Sequence, residues 1–173
     1  MPSAKKMIGA KYQEHKKDTI PVYKDSHMKV VVISGKYKGV ESIIKPESES
    51  HFYDIHLEPN STFEHNVPVG WNALVFPYSS LPLSVNNKTI EPEHAVVLKG
   101  QQESFNVFNG STSIAKFIVL FGHPLNEPIA KHGPFVMNTH DEIQKTLVDY
   151  QQGKNGFENA GTWESQIQEL AHK

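Results

Sequence analysis

From His51 the chain alternates: His51, Tyr53, Ile55 and Leu57 fall on one face, Asp54, His56 and Glu58 on the other, with Phe52 the exception. A period of two belongs to a strand buried on one side. Phe63, His65 and Val67 share a parity after the Pro59-Asn60 turn. Asn72 to Tyr78 predicts another strand, which Pro77 should end or push to a sheet edge. Met28 to Ile33, apolar and β-branched, predicts a strand buried on both faces, followed by a turn over Gly35 to Gly39. Leu83–Val85, Ala95–Leu98, Glu103–Phe108 and Ile114–Phe121 complete the set, divided by Asn86-Asn87, Lys99-Gly100 and Asn109-Gly110. The Asn-Gly pair is the strongest hairpin signal in the chain. Some eight short strands at close spacing imply an antiparallel sandwich or barrel.

After Phe121 the period changes. Thr139, with Glu142 three residues on, has the spacing of a reciprocal capping box. Ile143, Leu147 and Tyr150 then follow at helical intervals, and Gly153 supplies a left-handed stop. Thr162 has the position to cap a last helix carrying Trp163, Ile167 and Leu170 on one stripe. Both stripes are expected to pack on the barrel or on each other.

Composition narrows the chemistry. At 173 residues, with 38% hydrophobic and 10% aromatic residues, the chain is long enough for one folded core. It contains no cysteine, which excludes disulfides, thiolate metal sites and a cysteine nucleophile together. The net charge is −2, so there is no general field to attract nucleic acid. Only the N-terminal arm is basic, with Lys5, Lys6, Lys11, Lys16 and Lys17 against Glu14, and it reads as a solvated terminus. No signal-peptide core or membrane-length apolar run is present, which predicts an intracellular protein, cytoplasmic or nuclear. Met1 and the closing helix signal fit a natural start and stop. Phosphate-binding glycine loops and the G-x-S-x-G elbow are both missing.

Three spaced motifs then stand in one order. They are Gly122 to Pro128 (G-x-P-L-x-E-P), His132 to Thr139 (HGPFVMNT) and Asp149 to Phe157 (D-Y-x-x-G-x-x-G-F). Together they resemble the closing segment of the pirin family, and Lys11 to Pro21 (KYQEH…IP) resembles the start of that family's C-terminal half. Pirins are bicupins with the iron site in the N-terminal lobe, so the resemblance implies a single cupin jelly-roll barrel in which that lobe is absent. The expected organisation is an N-terminal arm over 1–21, a barrel over 22–137 and a helical segment over 138–173 packed on it.

Metal-binding cupins aim an H-x-H pair, a glutamate and a later histidine at one point inside the barrel. By that resemblance, Pro59 to Trp71 holds the first position but offers only His65, with Asn60 in place of the glycine. At the second, Glu103 stands where the late histidine belongs. His65 and Glu103 both have inward parity and are the candidate ligands, one fewer than a catalytic iron normally takes. His51 and His56 have opposite parity, while His123 and His132 are expected to cap loop carbonyls. The sequence therefore predicts a non-catalytic binding and regulatory protein with no cofactor, similar to family members that act as transcription co-regulators on protein partners. Two alternatives remain: an iron-dependent quercetin 2,3-dioxygenase with a degenerate site, and a homodimer that rebuilds a bicupin-like body.

Overall fold

The computed structural model describes residues 1–99, 104–165 and 167. Their backbone divides into two compact units, 1–125 and 126–173. In the first unit the strands are β1 (Val22–Lys24), β2 (Met28–Ser34), β3 (Lys36–Tyr37), β4 (Val40–Glu41), β5 (Ser50–Leu57), β6 (Ser61–Asn66) and β7 (Asn72–Pro77). They are followed by β8 (Leu83–Val85), β9 (Lys88–Ile90), β10 (Val96–Leu98), β11 (Ser104–Asn109) and β12 (Ala115–Gly122). The second unit holds β13 (Ala130–His132), β14 (Phe135–Met137) and α1 (His140–Gln151).

The first unit is a two-sheet antiparallel sandwich. One sheet runs β1-β2-β5-β12-β7-β10 and the other β6-β11-β8-β9, with β3 and β4 forming a small separate hairpin. Alternation fixes which side chains meet: Val30 and Val32, Tyr53, Ile55 and Leu57, Ala73 and Val75, and Phe117 and Val119 turn inward from the larger sheet. Phe63, Leu83, Val85, Phe105 and Val107 come from the smaller one, and all belong to a single core.

Three details differ from the sequence reading. Strand β2 is not buried on both faces: Met28, Val30, Val32 and Ser34 are buried, while the residues between them are half-exposed. Asn109-Gly110 is not a hairpin, because β11 and β12 lie in different sheets and Gly110 does not take a left-handed backbone. Tight two-residue hairpins stand instead at β8–β9, where Asn86 and Asn87 have φ of 48° and 63°, and at β3–β4, where Lys38 and Gly39 have φ of 42° and 87°, matching the sheet twist as primed turns do. The short strands β1, β3, β4 and β9 carried too few alternating residues to be read in advance.

The second unit begins at Asn126 because β13 pairs only with β14, in a hairpin that joins neither sheet of the first unit. Thr139 accepts from the Glu142 amide while the Glu142 carboxylate accepts from Thr139 and Asn138, so the capping box forms as expected. At the far end Gly153 has φ +60°, its amide donates to Tyr150 and the Lys154 amide to Asp149, the Schellman pattern. Ile143 and Thr146 are the buried residues of α1, whereas Tyr150 is half-exposed and stacks edge-on against Phe135 and Phe157. The expected last helix does not begin at Thr162, whose hydroxyl bonds back to Asn159, and residues 163–165 are not helical. Leu170 lies outside the described residues.

Candidate functional site

His65 is the residue on which an iron site would depend. It sits on β6, between Phe63 and Val67 on the inward face, and its ring is ringed by others. Phe121, Tyr53, Tyr37, Phe63 and Phe105 have centroids 4.9, 5.5, 5.7, 5.9 and 6.4 Å away. Burial, with a smaller contribution from nearby His51, pulls its pKa down to about 4, so the imidazole is neutral at physiological pH. One side reaches a cleft of about 570 Å³ lined by Met28, Tyr37, Lys38, Thr62, Glu64 and Asn66.

His51 is the neighbour that sequence reasoning missed. His56 lies on the other face of β5, whereas His65 stands on β6, the next strand along the chain. The Tyr53 hydroxyl donates to the Lys36 carbonyl at 2.6 Å, which uses its only proton. The 3.0 Å contact between Tyr53 Oη and His51 Nδ1 must therefore be donated by the histidine, leaving Nε2 as the lone-pair nitrogen. Burial lowers the His51 pKa against a weaker opposing pull from Glu49. The ring lies flat against Gly35, where a Cβ would come within 2.4 Å of it, so glycine makes the room. His51 and His65 share Tyr53 and Phe121 as ring neighbours. Their common parity on the alternating segments was the signal that could have paired them.

Among the described residues, the donors near His65 fall short of the three protein ligands that a catalytic iron normally takes. Among the described residues no three of His, Asp, Glu or Cys gather at one point, and the groups around His65 are aromatic faces rather than lone pairs. Glu103, the other candidate ligand, lies outside the described residues. His123 lines an apolar cleft beside His51, and among the described residues neither His123 nor His132 bonds to a loop carbonyl, contrary to the capping role expected of them.

A second polar group lies on the outer face of the larger sheet. The Tyr78 hydroxyl donates to Asp54 at 2.7 Å, and His56 Nε2 stands 3.7 Å from the same carboxylate. Burial chiefly, then the Asp54 bond and charge, raise the Tyr78 pKa and keep the phenol protonated. Burial likewise lowers His56, with Lys116 and Lys29 acting in the same direction and Asp54 opposing.

A model of the pirin C-terminal cupin domain matches residues 52–156, which run from β5 through the end of the capped helix. The chain belongs to the pirin family. It is 36% identical over 168 residues to human pirin, covering 95% of this chain and 58% of that protein. Against Pirin-like protein 2 of Arabidopsis thaliana it is 37% identical over 172 residues, covering 96% and 54%. A crystal structure of quercetin 2,3-dioxygenase from Acinetobacter baumannii superposes with a TM-score of 0.81 at 32% identity, covering 90% of this chain and 54% of that one. The pirin-like chain thus spans a little over half the length of these relatives. The expected cupin architecture, antiparallel sheets with a helix towards the C-terminus, is the one observed. No described helix is long and apolar enough to cross a membrane.

Proposed function

We propose that this pirin-like lobe works by binding a protein partner, as a co-regulator does, and has no oxygenase activity of its own. The observation that supports this reading is the filling of the barrel interior. Where a metal-dependent cupin needs several converging donors, the described residues around His65 supply two imidazoles, its own and that of His51, set among five aromatic rings. A transcription factor is the class of partner suggested by the family, inside the cell. The competing reading is the quercetinase activity borne by the Acinetobacter neighbour's name. Incubation with quercetin, oxygen and added Fe²⁺ separates the two. The proposal predicts flavonol loss no faster than in a protein-free control; turnover that disappears on His65→Ala would overturn it. The homodimer alternative is read from light scattering, where the proposal predicts the mass of one chain.

A further inference from the structure

The outer face of the six-stranded sheet is ordered by charge. Strand register sets Lys24 opposite Lys29, Lys29 opposite His56, and His56 opposite Lys116, so four basic residues form one row across four strands. The next row is Val22, Val31, Asp54, Ile118 and Phe76, and the one after it includes Phe52, Leu120 and Leu74. These side chains alternate with buried core residues and therefore point out of the sandwich. Lys24 and Lys29 are like charges directly opposite each other, an unfavourable pairing, while His56 stands between Lys29 and Lys116. Even so, none of the three lysines has a carboxylate within ion-pair distance among the described residues. The one acid within these rows, Asp54, is already engaged by Tyr78 and His56.

We infer that this face, with Lys24, Lys29 and Lys116 beside the exposed Val22 and the half-buried Val31, Ile118 and Phe76, a row whose one acid, Asp54, is held by Tyr78, docks an acidic amphipathic helix of a partner protein. The row crosses three inter-strand steps, about 14 Å, which is the length of about ten residues of helix. A helix laid along the boundary places its acidic stripe over the lysines and its apolar stripe over the valines and isoleucine, burying both kinds of surface at once. A second copy of this chain fits poorly, because a two-fold contact sets the same lysine-rich patch against itself. A phosphate backbone could use the lysines but offers nothing to the apolar row beside them.

The inference rests on the reading of the chain as a binding lobe, yet it can fail alone. A fluorescein-labelled synthetic helix with glutamates on one face and leucines on the other is titrated with the whole chain and followed by anisotropy. Lys24→Glu/Lys116→Glu, at two exposed positions, is expected to weaken binding at least about tenfold, with the far-ultraviolet spectrum unchanged. Lys16→Glu/Lys17→Glu makes the same charge change on the arm and is expected to leave affinity within about twofold. Ile118→Gln should weaken binding without altering its salt dependence. The surface is overturned if the helix does not bind at low salt, if the arm variant loses as much affinity as the sheet variant, or if a scrambled peptide of equal composition binds equally well. It is overturned too if duplex DNA or a dimer contact takes the face and the peptide does not. Failure of the peptide leaves the binding-lobe reading intact, whereas flavonol turnover removes that reading itself.

Discussion

At the scale of single residues, the account depends on what burial does to polar groups. Asn109 is fully buried at the crossing from one sheet to the other, and its amide donates to the carbonyls of Leu57, Glu58 and Ser113. Its carbonyl oxygen accepts from the Ser111 amide and hydroxyl. Asn109→Ala should therefore cost about 2–4 kcal/mol in a denaturant titration, since a buried amide that bonds the carbonyls of Leu57, Glu58 and Ser113 and accepts from Ser111 is lost in one step. His65 gives a pH signature. Its pKa falls from 6.5 unfolded to about 4 folded, so the unfolded chain binds the proton more readily throughout that interval. Its contribution is fully present above pH 6.5 and is lost as the pH falls towards 4, amounting to roughly 3 kcal/mol. The difference in unfolding free energy between the native chain and His65→Phe should accordingly change across this window and be level above it. A flat difference between pH 4 and 7 would mean that the ring is more solvated than its neighbours imply. The inward parity of His65 was legible in the sequence. Its neutrality was not, because that depends on rings from four other strand segments.

At the scale of elements, local signals succeeded where the chemistry was local. The capping box and the Gly153 stop require only residues adjacent in sequence, and both form as read. Thr139→Ala should cost about 1 kcal/mol, visible as lower helicity and faster amide exchange over 140–146, with exchange in β5 and β12 unchanged. Loss of protection in those strands would show the two units to be one cooperative block. Asn109-Gly110 failed as a hairpin signal because pairing is decided by sheet partners: β11 takes β6 and β8, and β12 takes β5 and β7. A turn dipeptide reports backbone preference and not which strands will be neighbours. The N-terminal arm was also more than a solvated tail. Lys5 and Lys11 both pair with Glu47, and the Gln13 side chain bonds the Lys45 backbone in both directions. These contacts join residues more than thirty positions apart, which composition alone could not reveal.

At the scale of the whole molecule, the described interior of the cupin sandwich packs aromatic rings around His65 and leaves one side of that residue facing a cleft. The inward positions that could have carried donors carry Tyr37, Tyr53, Phe63, Phe105 and Phe121 instead, and aromatic burial of this kind supplies a large share of the stability of a small β domain. The chain spans a little over half the length of the pirin relatives it matches. The family and the antiparallel fold were both legible, the first in three ordered motifs and the second in the period of two. The outer-face lysine row was not, since Lys24, Lys29, His56 and Lys116 are scattered in sequence and meet only through strand register. The most direct measurement is the iron stoichiometry of the purified chain after incubation with Fe²⁺ and desalting, beside that of His65→Ala. An aromatic-filled interior predicts less than about a tenth of an equivalent in both; one equivalent in the native chain that vanishes in the variant would contradict it.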